Sequence, residues 1–389
     1  MKIGRRHARS LRAGESTPPA PTNRRRRAAA LITVALVLLA AYMATTPSLS
    51  AVFRSAYSTL SDIVSGGKSI SISSMGTSTG GCSNAVTIQP LSSPIIVNGS
   101  AVVAYPYDYC TLAEFALAQI NSDRAANGTG PVSLSFNQAA QQHADSMLYY
   151  SYFSHFDTQG YKPYMRYTIL GGRGADFENV AYSEYTAGLL GRTTAIEDAI
   201  RNLEHLMVYD DAVCCNNGHR YNILNPLHNY VSIGVAYNST YIFFDEEFQN
   251  EYLNLNLSVA ASSPSGPYHV TMQGSPIPGT PTPTAIYVAF DGTPAPETRA
   301  QLDSGPHEYG PGTLLGGVLP PIGPSRGCNQ FTTGITVCAG RWVFNASTVY
   351  ISFSLDAFVR DYGPGVYTLY LVTGPSTDTA LTTLSVFVS

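Results

Sequence analysis

Two histidines and two glutamates in the middle of the chain carry the residue types that metal and proton chemistry need: His155, Glu178, Glu204 and His219. They lie in four short segments. These are Tyr152-Phe153-Ser154-His155-Phe156, Phe177-Glu178-Asn179-Val180-Ala181, Asn202-Leu203-Glu204-His205, and Gly218-His219-Arg220-Tyr221-Asn222-Ile223-Leu224-Asn225-Pro226. Imidazole nitrogens ligate a divalent ion such as Zn, and carboxylates accept and return protons. His155 and His219 are therefore the candidate metal ligands, and Glu178 and Glu204 the candidate acid–base groups. Other histidines read differently. His143 falls beside the Ala140/Ala144 helix face and reads as core or edge, and His205 points away from the Ile200 face into solvent. No helical His-Glu-x-x-His and no Gly-x-Ser-x-Gly occurs, which removes the usual zinc-peptidase and serine-hydrolase patterns. Gly171-Gly172-Arg173-Gly174 lacks the Lys and Ser/Thr of a phosphate cradle and reads as a turn.

The elements that must position these groups follow from periodicity. Thr111 with Glu114 forms a capping box, followed by Leu112, Phe115, Ala116 and Ile120 at helical spacing, and Asn127-Gly128 stops that helix. Ser135 with Gln138 repeats the capping pattern ahead of Ala140, Ala144, Met147 and Leu148. Thr194 with Glu197 caps a third helix with Ile196, Ile200, Leu203 and Met207 inward. Val231 to Tyr237 and Tyr241 to Phe244 read as two strands joined by Asn238-Ser239-Thr240. Helices followed by paired strands predict an α+β layered domain over residues 108–255.

The polar segments, in this order, resemble the cysteine-rich secretory protein, antigen 5 and pathogenesis-related (CAP) superfamily from about Leu112 to Phe248. The resemblance rests on the Asn121 to Arg124 helix end, Phe153-Ser154-His155, Glu178-Asn179-Val180-Ala181, Gly218 to Leu224, and Ile233-Gly234-Val235. It implies an α-β-α sandwich whose central cleft holds His155, Glu178, Glu204 and His219. Glu204 is preferred to the nearby Glu197 because it borders the apolar face four residues after Ile200, while Glu197 serves the cap. The function so implied is a binding module for a lipid, a peptide or a divalent metal. The alternative is a metal-assisted extracellular hydrolase built on the same four residues. Most members of the superfamily have no settled catalytic role, which favours binding.

Outside this region the chain changes character. Of its 389 residues only 12% are charged, well below the usual quarter. Residues 1–27 hold nine basic residues and one acid, and the remainder carries a net −12. An acidic body excludes a nucleic-acid groove, which needs clustered Lys and Arg. The basic tail ends at Arg27, and an uncharged apolar run follows over 28–44. That run predicts a membrane signal anchor, with the tail in the cytoplasm and the later domains outside, or a cleaved signal leaving a secreted protein. Residues 45–107 read as a Ser/Thr-rich stalk, 256–284 as a Pro-rich linker, and 285–389 as a small all-β, Ig-like sandwich for presentation or adhesion, without helical pattern. Cys328 and Cys338 are expected to pair. Cys82, Cys110, Cys214 and Cys215 allow three connectivities, with one or both of Cys214 and Cys215 entering disulfides rather than holding a metal. Five Asn-x-Ser/Thr triplets (Asn98, Asn127, Asn238, Asn256, Asn345) are compatible with an exported, exposed chain.

Overall fold

Helix α1 (Tyr109–Ala126) buries Leu112, Ala113, Ala116 and Ile120 along one stripe, and Gly128 in the left-handed region ends it. It starts two residues before Thr111, which therefore lies in its first turn and does not cap it. Helix α2 (Ala139–Tyr150) likewise takes no side-chain cap from Gln138, its N-cap residue; Asn137 Oδ1 instead accepts from the Ala139 N–H at 2.9 Å. The computed structural model describes residues 95–97, 100–102, 109–185, 195–261, 266–306, 308–323 and 327–389. The basic tail, the 28–44 run, Cys82 and Thr194 lie outside them, as does nearly all of the expected stalk. Within that stalk, Ile95–Val97 (β1) pairs antiparallel with Ser100–Val102 (β2). Among the described residues no helix is long and apolar enough to cross a membrane.

The first half is a mixed α/β domain around a four-stranded sheet of order β3-β5-β6-β4. Its strands are β3 (Ser133–Leu134), β4 (Ala175–Glu184), β5 (Tyr230–Tyr237) and β6 (Tyr241–Asn250). β5 and β6 form the expected hairpin, but β6 runs six residues past Phe244, through Asp245, Glu246 and Glu247. The remaining helices are α3 (Pro163–Ile169), α4 (Ala195–Tyr209), α5 (Asp211–Cys215) and α6 (Gly218–Ile223). One sheet face packs on α1, α4 and α6 through Ile120, Ile200, Leu203, Ile233, Phe244 and Phe248. The other carries α2 and a smaller cluster of Met147, Tyr152, Val180 and Phe243. This is the layered arrangement expected.

The structure differs from the expectation at 256–284. That segment carries most of β7 (Leu253–Ala261) and all of β8 (Tyr268–Pro276), strands of a four-stranded sheet β12-β13-β8-β7 completed by β12 (Arg341–Asn345) and β13 (Thr348–Ser354). The prolines cluster at and beyond the strand ends. Within the strands Leu253, Leu255, Leu257, Val270 and Met272 alternate inward, and that burial drives pairing. A five-stranded sheet β11-β10-β9-β14-β15 faces it, built from β9 (Ala285–Asp291), β10 (Thr313–Leu319), β11 (Ile335–Cys338), β14 (Gly365–Val372) and β15 (Ala380–Val388). The two sheets share one apolar core. Two short helices, α7 (Arg299–Ser304) and α8 (Asp356–Tyr362), were not expected; Thr298 and Gln301 form a capping box at the start of α7. Cys328 and Cys338 are disulfide-bonded, as expected.

The five-stranded sheet is covered on both faces. Ile286, Val288, Leu369 and Leu371 point into the β core, while Ala285, Ala289, Tyr370 and Val372 pack with Ala175 of the α/β domain. Every residue of β14 is buried for this reason.

Candidate functional site

Alternation along β4 decides where the expected residues go. Successive strand side chains point to opposite faces, so Glu178 lies with Asp176 and Val180, and Asn179 faces the other way. In register with β6, Glu178 pairs with Glu247 and Val180 with Asp245, which puts Asp245 and Glu247 on the Glu178 face. Glu246 opposes Asn179 on the far face.

On the first face Glu178 is the hub. Its Oε2 lies 2.7 Å from His155 Nδ1, on the loop after α2, and its Oε1 lies 2.9 Å from His143 Nδ1 on α2. Arg166 of α3 donates from Nη2 to the same Oε1. Its Nη1 donates to the carbonyls of His155 at 2.8 Å and Tyr161 at 3.0 Å. His143 Nδ1 is also 2.9 Å from Asp245 Oδ2. Burial alone would raise the Glu178 carboxyl, but Arg166, then His143 and the bond from His155, reverse that and hold it below the ordinary carboxylate range. Burial, and then the Glu178 charge, pushes Asp176 and Asp245 up; Glu247 is pushed up by burial and its acidic neighbours. Burial, and then Arg166, pushes His143 down. The face therefore sets the Glu178 carboxylate against one guanidinium, among acids and a histidine whose burial favours their uncharged forms.

The second domain seals this face. Tyr309 Oη accepts from the Glu178 backbone N–H at 2.6 Å, and its ring centroid is 4.8 Å from that of His155. Asp303 Oδ1 accepts from the Phe153 N–H at 3.1 Å. Beside this seam a groove of about 480 Å³ runs between Phe156, Lys162 and Met165 on one side and Asp291, Pro294 and Pro296 on the other.

Across the sheet, Glu204 of α4 is buried against Glu246. Burial, then the charge of Glu246, raises Glu204; burial raises Glu246 to about 7. Asn179 Nδ2 donates to Glu246 Oε2 at 3.4 Å and to the His219 carbonyl at 3.3 Å. Asn222 donates to Asn179 Oδ1 at 3.0 Å, locking that amide. The His219 imidazole turns to its own neighbourhood, with Nδ1 2.7 Å from Asp211 Oδ1. Asn216 and Asn217, both in the left-handed region, reverse the chain between α5 and α6 and bring His219 back over Asp211. Cys214 and Cys215 are bonded to each other.

The four expected residues thus do not meet. His155 and Glu178 converge on one face, while Glu204 and His219 lie on the other, in separate contacts. A zinc shared by His155 and His219 does not fit, because the sheet stands between them. His143, Glu178 and Asp245 each offer a donor atom, all within 4.8 Å of one another, a grouping compact enough for a metal ion. Arg166 already supplies positive charge to that group. Sequence reasoning missed His143, Arg166, Asp245, Glu247 and Tyr309. The legible signal was Asp245-Glu246-Glu247, three acids inside an aromatic strand.

Residues 117–248 match the family model described as the cysteine-rich secretory protein family, CAP. The chain carries a CAP domain there, as the motifs implied. A search of curated protein sequences returns no match. Among solved structures, the chain is similar to an extracellular protein containing a SCP domain from Bacillus anthracis str. Ames. Identity is 19% and TM-score 0.28, covering 36% of this chain and 41% of that one. It is also similar to the CAP domain of Enterococcal PrgA, at 14% identity and TM-score 0.28, covering 38% of this chain and 64% of that one. Less than two thirds of either structure is spanned.

Proposed function

We propose that the chain is an extracytoplasmic binding protein, a CAP domain buttressed by an Ig-like β-domain and displayed from the membrane by the N-terminal apolar run. The observation that carries the binding reading is the separation of Glu178 from Glu204 and of His155 from His219. Metal-assisted hydrolysis needs an ion with an open position and a base beside it. Here the Glu178 carboxylate is engaged by Arg166 and two histidines. A divalent metal at His143, Glu178 and Asp245 would have to displace that guanidinium.

A peptide fits better than a lipid. The groove between Lys162, Met165 and Asp291, Pro294, Pro296 mixes apolar walls with paired charge, since Lys162 Nζ is 2.7 Å from Asp291 Oδ1. An acyl chain asks for a continuous apolar wall. Random-peptide display against the full chain should enrich binders that Thr293→Trp, filling the groove rim, rejects. Enrichment unaffected by that substitution would remove the groove from the reading. Turnover of a peptide or ester substrate that disappears in Glu178→Gln would establish the hydrolase instead. For topology, protease added to intact cells should remove residues 108–389 while sparing the basic tail; protection of that portion would overturn the display arrangement.

A further inference from the structure

The vicinal cysteines lie away from the Glu178 hub, on the short α5–α6 unit, and the binding reading leaves them unused. Asp211, Cys214, Cys215 and His219 each present one ligand-type atom, and all four atoms lie within 4.8 Å of one another. Donors around a tetrahedral zinc, with bonds of about 2.0–2.3 Å, are separated by roughly 3.3–3.8 Å; here His219 Nδ1 and Asp211 Oδ1 are 2.7 Å apart and the sulfurs are bonded, so the set is clustered on one spot and has only to spread by about an ångström once the sulfurs part. The carboxylate is oriented from behind: the Arg220 N–H donates to Asp211 Oδ2 at 3.0 Å, leaving Oδ1 toward His219. Support of that kind from outside the ligand shell is what fixes metal ligands. Access is open on the sulfur side. Cys214 is exposed and its neighbour Val213 is 98% exposed, while Asp211 is buried beneath.

We propose that these four residues form a redox-gated site for a zinc-class ion, closed while Cys214 and Cys215 are bonded and opened by reduction. A dithiol gives two electrons and two protons to the disulfide and is itself oxidised to a disulfide, leaving two free thiols. The ion then displaces both thiol protons to solvent and is held by two thiolates, the His219 imidazole and the Asp211 carboxylate. Thiolate and imidazole donors select zinc-class ions over magnesium or calcium. A bonded sulfur pair has no thiolate to offer, so metal uptake reports the redox state of the pair. The donor set shares only His219 with the zinc expected from the sequence.

Cobalt(II) added to the full chain tests this by absorption, independently of any activity. After treatment with a phosphine reductant, which becomes phosphine oxide, one equivalent should bind with tetrahedral visible bands and near-ultraviolet thiolate charge transfer. Zinc should displace it. The untreated chain should show no such bands. C214S/C215S should abolish the spectrum, and His219→Ala or Asp211→Asn should weaken binding about tenfold or more. The reductant also opens the Cys328–Cys338 bond and the disulfide of Cys110, so C328S/C338S and C110S must each give the same one-equivalent spectrum. The proposal is overturned if the reduced native chain shows no thiolate bands, if C214S/C215S keeps them, or if C328S/C338S or C110S loses them.

Discussion

Glu178 illustrates how a single side chain joins elements far apart in sequence. It is buried and ionised, and Arg166 beside it is buried and charged, so neither tolerates loss of the other. Glu178→Ala should destabilise the chain by about 3–5 kcal/mol in denaturant unfolding, because it strands the guanidinium. Glu184→Ala, at the exposed end of the same strand, should cost under about 0.5 kcal/mol. Equal costs would show that the hub is not a buried ion pair. The carboxyl pair across the sheet behaves oppositely. Glu246 rises from an ordinary 4.5 to about 7, so it binds its proton more tightly folded than unfolded, and stability falls as pH rises through that window. Glu246→Gln removes the titration and should raise stability at pH 8 by up to about 3 kcal/mol, flattening the profile from pH 5 to 7. An unchanged slope in thermal melts would place the proton on another group. Half of this site was legible in sequence. His155 and Glu178 stood in recognisable segments and do meet. His143 did not show itself because helical spacing put it beside Ala140 and Ala144, and nothing local reveals the acids of the strand opposite. Glu204 and His219 carried the right residue types, but whether strand alternation would put Glu178 or Asn179 on their side of the sheet was not evident from the motif.

Elements were read best where their periodicity was complete. α1, α2, α4 and the β5–β6 hairpin lie where their apolar spacing placed them; the errors fell at element ends, at the unexpected helices α7 and α8, and in the 256–284 segment. There the prolines outweighed a plain alternation, Leu253, Leu255, Leu257, Val259, that marks a half-buried strand. Ser, Thr and Pro content described the segment's ends and missed its interior. One close approach between elements was also hidden. A Cβ on Gly234 of β5 would sit 2.2 Å from the Ala140 carbonyl oxygen of α2, so the helix lies on the strand only because that residue is glycine. Gln141 reinforces the contact, accepting from the Val235 N–H at 2.9 Å and donating to the Val235 carbonyl at 3.1 Å. Gly234→Ala must push α2 outward and should cost about 1–3 kcal/mol or more, with Gly130→Ala as a comparison in open space. A neutral Gly234→Ala in equilibrium unfolding would mean that α2 is not held against β5 as described.

At the scale of the molecule, the CAP domain and the β-domain share a desolvated seam. Ala175, Ala285, Ala289, Tyr370 and Val372 pack across it. Asp176 N–H donates to Thr383 Oγ1 at 3.0 Å, and Asn250 Nδ2 donates to the Ala380 carbonyl at 2.8 Å. Asp291 adds a charged clasp, accepting from Lys162 Nζ and from the Tyr164 hydroxyl, each at 2.7 Å. Because β14 is buried on both faces, separating the domains exposes the apolar seam and strips Thr383 and Asp291 of their partners across it. The two domains should therefore unfold together, as a single calorimetric transition whose van't Hoff and calorimetric enthalpies agree. Asp291→Ala removes the partner of a half-buried ammonium and of a buried phenol, and should lower stability by about 1–3 kcal/mol without dividing the transition. Combining it with Tyr309→Ala also strips the ring that covers His155 and the acceptor of the Glu178 N–H. If the seam is what couples the domains, that double substitution should resolve two transitions, the CAP domain melting apart from the β-sandwich. Two transitions already present in the native chain would mean the seam is only contact, and the β-domain could then swing clear of the His155–Glu178 face.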